Sequence, residues 1–328
     1  MQGKVALEEH MAIAETLQDS AGFVPEDHWA ELSARLMDIH DRRLREMDRH
    51  GIEMMILSLN APAVQAVPDP ARAVALARRA NDELAAQVAR RRDRFRAFAA
   101  LPMQDPEAAA AELRRCVRDC GFVGGLVNGF SQVGAADNAT YYDLPRYRPF
   151  WAEVAVLGVP FYLHPRNPLP RDARIYEGAE WLLGPTWAFA QETAVHALRL
   201  MGSGLFDEHP GLQIVLGHLG EGLPYGIWRV DNRNAWVKAP PKHRAKRKIG
   251  SYFQANFHIT TSGNFRTQAL MDAMLEIGAD RILFSVDWPF ENVDHATEWF
   301  DVATISEADR RKIGRDNAWR LFRLGGVT

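Results

Sequence analysis

The chain contains 328 residues, of which 47% are hydrophobic and 25% are charged, and its formal net charge is −3. These proportions are those of ordinary globular proteins and exclude a disordered, collagen-like or coiled-coil chain. The slight acidic excess disfavours general binding to nucleic acid, and no apolar run approaches the roughly 20 residues that a membrane-spanning helix needs.

Short apolar segments alternate with longer segments of helical periodicity along the whole chain. The predicted strands are residues 4–7, 53–57, 95–101, 122–127, 159–163, 213–217, 257–260 and 281–285. The predicted helices are residues 30–50, 70–90, 106–120, 148–157, 186–206 and 265–277. We interpret the irregular stretches at 19–28, 129–147, 165–184 and 235–252 as insertions. Alternation of this kind predicts a parallel sheet that is covered by helices.

Eight predicted strands in one chain favour a closed barrel over a doubly wound sheet. The length also exceeds the roughly 250 residues that are typical of a (β/α)8 barrel. No glycine-rich motif of the dinucleotide-binding or P-loop type follows any predicted strand. We therefore predict an α/β protein whose single domain, residues 1–328, is a (β/α)8 TIM barrel with insertions in its βα loops.

The two cysteines, Cys116 and Cys120, are too few for a disulfide framework. They lie one helical turn apart, and we interpret them as free thiols rather than metal ligands. The first residues lead directly into a predicted strand without the pattern of a signal peptide. We therefore expect a reducing, cytoplasmic location.

Polar side chains follow several of the predicted strands. Glu8 and His10 come after the first strand, His164 after the fifth, His218 after the sixth and Asp287 after the eighth. The carboxyl ends of barrel strands meet at one mouth of the barrel, where active sites are built. A single strand-end histidine is more often structural, and an aspartate there often caps a helix. Five such residues at one predicted mouth favour a shared site.

The chemistry of this set favours a metal centre. Two imidazoles and two carboxylates are ligands that Zn²⁺ or Mn²⁺ accepts. With Glu8 and Asp287 ionised and His10 and His164 neutral, the set carries the charge that neutralises one divalent ion. The segment 122–130 contains no lysine that could be carboxylated to bridge a second ion. We therefore expect one metal ion and no organic cofactor.

Glu221 follows His218 by three residues and allows two interpretations. Its carboxylate can hold the imidazole in one tautomer and raise its basicity. It can also occupy the first turn of a following helix, where the helix dipole favours a negative charge.

Residues 238–248 form the one dense basic segment of the chain. It could bind phosphate groups, as in an RNA-associated barrel without catalytic activity. Aromatic residues are not interleaved with its lysines and arginines, as single-strand binding requires. A solvated or subunit-facing loop is therefore the preferred interpretation.

Five segments together resemble a known family. They are GKVALEEH at 3–10, LSLNAP at 57–62, FYLHPRNP at 161–168, LGHLGE at 216–221 and SVDWPFEN at 285–292. These segments resemble the amidohydrolase superfamily and, within it, the metal-dependent decarboxylases of hydroxylated benzoates. Hydrolases of the superfamily usually carry H-x-H on the first strand, whereas Glu8 at the first of these positions resembles the decarboxylase branch. The resemblance covers essentially the whole chain.

The resemblance implies a set of site residues. One divalent ion, Mn²⁺ or Zn²⁺, would be bound by Glu8, His10, His164 and Asp287. Catalysis would use Asp287 to protonate the ring carbon, with His218 and Glu221 beside it. The substrate pocket would be formed by Phe23, Phe189, Arg229 and, across a subunit contact, Phe290. Core packing of the three phenylalanines, and an ion pair of Arg229 with Asp231 or with a neighbouring subunit, remain open alternatives.

The resemblance also implies an activity and an assembly. The expected reaction is the reversible, non-oxidative decarboxylation of 2,6-dihydroxybenzoate to resorcinol and CO2, in a homotetramer without nucleic-acid or membrane partners. Alternative substrates are 2,3-dihydroxybenzoate, 5-carboxyvanillate and an aminomuconate semialdehyde. A hydratase of the same branch, or a hydrolase in which the same ligands activate water, is a further alternative.

Overall fold

The computed structural model of the chain describes residues 1–236 and 244–325. Within them, eight parallel strands pair in chain order to form one sheet. The strands are β1 (Lys4–Met11), β2 (Ile52–Leu59), β3 (Phe95–Ala100), β4 (Gly124–Asn128), β5 (Phe161–His164), β6 (Ile214–Leu216), β7 (Phe257–Thr260) and β8 (Ile282–Leu283). The predicted (β/α)8 barrel is confirmed.

Helices cover the outside of the barrel. They are α1 (Glu26–Met37), α2 (Arg42–His50), α3 (Pro70–Arg90), α4 (Pro106–Asp119), α5 (Arg148–Leu157), α6 (Ala188–Gly202), α7 (Leu205–Glu208), α8 (Leu223–Asn234), α9 (Ile249–Asn256), α10 (Thr267–Ile277), α11 (Val293–Val302), α12 (Glu307–Arg311) and α13 (Asn317–Leu321). A π-helical turn, Lys312–Asp316, joins α12 to α13.

Three of the four predicted insertions lie in loops that follow strands. The fourth, 235–252, follows α8, extends into α9 and lies partly outside the described residues. The loop after β1 contains a 3₁₀ helix, Leu17–Phe23, and a short one, Ala63–Ala66, follows β2. A two-stranded antiparallel ribbon follows β4, in which Ser131–Gln132 pairs with Ala139–Thr140. Three 3₁₀ turns fill the long loop between β5 and α6. These loops all leave the barrel at the carboxyl ends of the strands.

Capping residues define the starts of the best-predicted helices. The Asp69 carboxylate accepts the backbone N–H of Arg72, and a proline follows at the first position of α3. The Asp105 carboxylate caps α4 in the same way, again before a proline. An acidic cap followed by proline strongly indicates the start of a helix. The carboxylate accepts a backbone N–H group that has no partner within the helix, and proline has no N–H group that would need one.

Two predicted helices were too long. Residues 30–50 form two helices, because the Asp38 carboxylate accepts the N–H groups of Asp41 and Arg42 at 3.2 and 3.0 Å and interrupts the helical pattern. Residues 186–206 are interrupted after α6, where Gly204 has a φ of +81° before α7 begins. In each case a local polar contact or a left-handed residue ends the helix.

The barrel closes between β1 and β8 through side chains as much as through backbone pairing. The backbone contributes one bridge, between Glu9 and Trp288, with His10 N–H donating to the Trp288 carbonyl at 2.6 Å. The Ser285 hydroxyl accepts the N–H of Glu8 at 2.7 Å and donates to the Glu9 carboxylate at 2.9 Å. We call this junction the seam of the barrel.

The Glu9 carboxylate is the centre of the seam. Besides the Ser285 hydroxyl, it accepts the N–H groups of Val286 and Trp288 at 2.9 and 3.1 Å. Glu9 is fully buried, and burial raises its pKa to about 7. Three donors from the segment after β8 therefore surround a carboxylate on β1, and they fix the path of the chain towards Asp287.

The two cysteines are free thiols, as predicted. Cys116 is buried on α4, and burial raises the pKa of its thiol well above the ordinary value. A protonated, buried thiol packs as a small apolar group. Among the described residues, no helix combines the length and the apolar character that crossing a lipid bilayer demands.

Removal of the Ser285 hydroxyl tests the seam. We expect Ser285→Ala to lower the free energy of unfolding by about 1–3 kcal/mol, because the buried N–H of Glu8 and the Glu9 carboxylate each lose a partner. Urea unfolding followed by circular dichroism measures this change. The control is Ser33→Ala on α1, for which we expect a change within about 0.5 kcal/mol. Equal stability of both variants would show that the seam does not depend on this hydroxyl.

Candidate metal centre and active site

Four side chains converge at the carboxyl ends of the strands. Glu8 and His10 lie on β1, His164 ends β5, and Asp287 follows β8. One ligand atom of each lies within 4.8 Å of those of the others. The distances are 3.3 Å from His10 Nε2 to Asp287 Oδ1 and 3.3 Å from His164 Nε2 to Glu8 Oε1. The structure thus brings together all four residues that were expected as metal ligands.

The atoms in this cluster fit a cation. Glu8 Oε1, His10 Nε2 and Asp287 Oδ1 are buried and make no hydrogen bond with the described residues. A buried polar atom without a partner is costly, and a bound cation would remove that cost for all three. Two nitrogen and two oxygen donors suit Mn²⁺ or Zn²⁺. The four side chains form a group that could hold one such ion.

Three hydroxyl groups orient Glu8. Its Oε2 atom accepts hydrogen bonds from Tyr162, Ser262 and Thr260, the last at 3.1 Å. Tyr162 lies two residues before His164 on β5, and Thr260 lies two residues before Ser262, so each pair faces the inside of the barrel. The hydroxyl groups hold one oxygen of Glu8 and leave Oε1 free for the ligand cluster. Our sequence interpretation did not identify them, although their spacing of two residues was visible.

The surroundings of the two histidines in the cluster suit binding of a metal. His10 Nδ1 contacts the Ser58 hydroxyl at 3.0 Å, which leaves Nε2 directed at the cluster. Burial and the neighbouring His10 ring hold the pKa of His164 well below its ordinary value. His164 is therefore neutral, as a metal-ligating imidazole must be.

His218 and Glu221 form a pair beside the cluster. His218 Nδ1 lies 2.8 Å from Glu221 Oε1, while its Nε2 lies 3.6 Å from Glu8 Oε1 and 3.7 Å from Asp287 Oδ2. His218 and Glu221 have φ angles of +51° and +56°, which non-glycine residues rarely adopt and which are enriched at active sites. Helix α8 begins at Leu223, so Glu221 precedes the helix, and the interpretation that it occupies the first helical turn is corrected.

The charges around His218 and Asp287 place a proton on the histidine. Burial opposes a charged ring at His218, but the carboxylates of Glu221 and Glu8 hold its pKa well above the ordinary value. Burial also opposes ionisation of Asp287, yet the rings of His10 and His218 hold its pKa below the ordinary value. His218 therefore carries the proton that Asp287 lacks.

A largely apolar cavity opens onto this cluster. It is lined by Phe23, Val24, Ala61, His164, Pro185, Phe189, His218, Asp287, Phe290 and Glu291. The rings of Phe23 and Phe189 meet edge to face, with their centroids 5.4 Å apart. The Phe290 ring lies 5.7 Å from the ring of His10. The cavity therefore offers aromatic walls to a flat ligand directly in front of the four converging side chains.

The amidohydrolase family model matches residues 26–324 of this sequence. The chain belongs to the amidohydrolase family. It is 73% identical over 326 residues to the gamma-resorcylate decarboxylase of Rhizobium radiobacter. The aligned region covers 99% of this chain and 100% of that protein. The resemblance drawn from the five sequence segments is confirmed.

Two solved structures are similar to this amidohydrolase along its whole length. One is a 2,6-dihydroxybenzoate decarboxylase complexed with 2,6-dihydroxybenzoate, at a TM-score of 0.97 and 73% identity over 98% of this chain and 100% of that chain. The other is a dihydroxybenzoic acid decarboxylase from Polaromonas sp. JS666 with bound manganese and the inhibitor 2-nitroresorcinol. Its TM-score is 0.97 at 69% identity, over 100% of this chain and 98% of that chain.

The structure places two of the expected pocket residues of this amidohydrolase differently. Phe290 lines the cavity of its own chain, in the loop after β8 and three residues after Asp287. Its expected role across a subunit contact stays a prediction. Arg229 is exposed on α8 and is not among the residues that line the cavity. Asp231 does not hold Arg229 in an ion pair within the described residues; its carboxylate accepts the N–H groups of residues 249 and 250 at 2.7 and 3.0 Å.

The basic segment 238–248 lies partly outside the described residues, which resume at 244. In the described part, the backbone N–H groups of Lys246 and Arg247 donate to the Tyr252 hydroxyl at 3.0 and 2.9 Å. The Arg247 guanidinium lies over the Tyr252 ring, 4.5 Å from its centroid. This end of the segment is therefore attached to the amidohydrolase barrel through α9.

Proposed function

We propose that this amidohydrolase catalyses the reversible, non-oxidative decarboxylation of 2,6-dihydroxybenzoate to resorcinol and CO2. The observation that carries the proposal is a single Glu–His–His–Asp cluster that faces an aromatic cavity. Flat apolar walls suit a benzoate ring, and a cation held by the cluster would attract its carboxylate. The similarity to relatives named as decarboxylases of this substrate supports the same assignment.

We further propose a metal site made of Glu8, His10, His164 and Asp287. One Mn²⁺ or Zn²⁺ ion bound there would supply a positive charge that attracts the substrate carboxylate and one ortho oxygen. The manganese bound in the Polaromonas relative supports Mn²⁺ as this ion. The aromatic walls would hold the ring in a fixed orientation against the cluster, which reduces the entropy cost of reaction.

The order of bond changes follows from the stability of the products. Direct loss of CO2 would leave an aryl anion of high energy. Protonation of the carboxyl-bearing carbon first gives a dearomatised ring, and cleavage of the C–C bond then returns its electron pair to the ring as CO2 leaves. The ortho oxygens make that carbon electron-rich enough to accept the proton.

Asp287 would deliver this proton, and His218 would supply it. A carboxylate that ligates a metal is normally a weak proton donor, because the cation favours its ionised form. Asp287 must therefore receive its proton from a neighbouring group. His218 Nε2 lies 3.7 Å from Asp287 Oδ2, and Glu221 holds the opposite side of the imidazole. This arrangement supports a path from His218 through Asp287 to the ring carbon.

Product analysis tests the proposed reaction. Purified protein loaded with Mn²⁺ is expected to convert 2,6-dihydroxybenzoate to resorcinol, which chromatography detects, and a chelator is expected to abolish the conversion. In concentrated bicarbonate, resorcinol should be carboxylated to 2,6-dihydroxybenzoate, because the reaction is close to reversible for activated phenols. Absence of resorcinol from metal-loaded protein would contradict the proposed substrate, and tests of 2,3-dihydroxybenzoate and 5-carboxyvanillate would follow.

Substitution of Asp287 tests the proton donor. We expect Asp287→Asn to lower kcat by at least about 10²–10⁴-fold, because the amide cannot deliver the proton. Metal content and the affinity for 2-nitroresorcinol are measured in parallel, so that loss of chemistry is separated from loss of the ion. The control is Asp272→Asn on the exposed side of α10, which should keep normal turnover. Near-normal turnover of Asp287→Asn with metal bound would exclude this role.

A homotetramer is our proposal for the assembly, supported by an exposed aromatic face. Tyr225 and Trp228 lie three residues apart on α8 and are 89% and 70% exposed. Residues at this spacing share one face of a helix, and exposed aromatic patches mark contact surfaces.

Light scattering tests the assembly. We expect the wild-type protein to have the mass of a tetramer and the Trp228→Arg variant to have a lower mass, because the substitution places a charge in the contact surface. Leu275→Arg on α10, where the leucine is 84% exposed, is the matched control. A monomer at all concentrations would contradict the proposal.

We also propose that residues 1–328 form a single domain. The Asn317 side chain on α13 donates to the carbonyl groups of Ala279 and Ile282, which attaches the last helices to β8. The seam attaches β8 in turn to β1. The cytoplasmic location stays a prediction, which the free cysteines support.

A further inference from the structure

One polar side chain in the cavity has no place in the proposed mechanism. Six of the lining residues are apolar, and His164, His218 and Asp287 belong to the ligand cluster and its proton path. The remaining polar residue is Glu291. Within residues 1–236 and 244–325, its carboxyl group has no hydrogen bond or ion pair with another side chain. It therefore offers a free polar group to a ligand.

The position of Glu291 is set by the loop after β8. Its backbone N–H donates to the Asp287 carbonyl at 3.0 Å, which holds residue 291 next to the proposed proton donor. Both side chains lie close to Gly263. A Cβ added at this glycine would lie 2.9 Å from His218 Cδ2 and 3.8 Å from Glu291 Oε1. The carboxyl group and the imidazole therefore belong to the same wall of the cavity, and Glu291 is half-buried there.

The proposed substrate presents a group that needs such a partner. It carries two ortho hydroxyl groups, of which one would face the ligand cluster together with the carboxylate. The other would lie on the opposite side of the carboxylate, among mainly apolar side chains. A hydroxyl group buried without a hydrogen bond is costly, so an acceptor in the wall favours a ring that has this hydroxyl over one that lacks it.

We infer that Glu291 accepts a hydrogen bond from the second ortho hydroxyl and makes the enzyme selective for benzoates that are hydroxylated at both ortho positions. This inference rests on the proposed function. It adds a specificity-determining contact outside the four proposed metal ligands and the pair of His218 and Glu221. It also explains why a carboxyl group without a hydrogen-bond partner among the described side chains lies in the wall of the cavity.

Two variants and two substrates test the contact. The substrates are 2,6-dihydroxybenzoate and 2-hydroxybenzoate, which lacks the second hydroxyl. We expect Glu291→Leu to lower the ratio of their kcat/KM values by about 10- to 100-fold, since a site built to bind a hydroxyl group discriminates through it. Glu291→Gln keeps an amide oxygen that can accept the bond and should recover part of the ratio. Glu298→Leu, on the exposed face of α11, should keep the wild-type ratio.

A binding measurement gives the same answer without turnover. The two probe ligands are 2-nitroresorcinol and 2-nitrophenol, which differ by the same hydroxyl group. The wild-type protein is expected to bind 2-nitroresorcinol more tightly than 2-nitrophenol. Glu291→Leu should lower the ratio of the two affinities by a factor similar to that expected for the substrates. Metal content is measured for every variant, so that loss of the ion is not mistaken for loss of selectivity.

Equal losses for both substrates, together with an unchanged preference between the two probe ligands, would overturn the inference. That result would assign Glu291 to the His218 wall in a structural role. Failure of the proposed function has a different signature, because the metal-loaded wild-type protein would then form no resorcinol. If 2-hydroxybenzoate is turned over too slowly to measure, the pair of probe ligands decides the outcome.

Discussion

The closure of the barrel between its first and last strands is the constraint on which the site depends. A closed ladder of backbone hydrogen bonds would hold these strands regardless of sequence. Here the junction depends on the Glu9 carboxylate and the Ser285 hydroxyl, which bind backbone groups across it. Asp287 lies within this junction, between Val286 and Trp288, so the contacts of the seam determine its position relative to Glu8 and His10.

The alternation of side chains along β1 divides two adjacent carboxylates between two tasks. Glu8 points into the barrel, where neutral hydroxyl donors hold one oxygen and leave the other for a cation. Glu9 points to the other side and binds backbone N–H groups of the segment after β8. A one-residue shift of this strand would exchange the two and destroy both the seam and the ligand cluster.

The sequence predicted the barrel and the convergence of polar residues because both depend on strong local signals. Apolar strands with polar residues at their ends, and acidic caps before proline, can be recognised without knowledge of contacts. The two-residue spacing of Tyr162 and His164 shows only that they share a face of β5. The contact of the Tyr162 hydroxyl with Glu8, 154 residues away in sequence, needs the fold to be known. The break at Asp38 was missed because a side-chain hydrogen bond there outweighs helical periodicity. Arg229 was assigned by resemblance, which does not define a contact.

The seam has a consequence for the lifetime of the protein. An ion held by Glu8 on β1 and by Asp287 beyond β8 would connect the two edges of the barrel at the same place as the seam. Binding to the folded chain alone stabilises it by linkage. Scarcity of the metal would therefore do more than silence the enzyme. Without the ion, the barrel would open more easily at the junction between β1 and β8, where its closure depends on few contacts. Proteases would then cleave the apo protein at this junction before the other parts of the barrel.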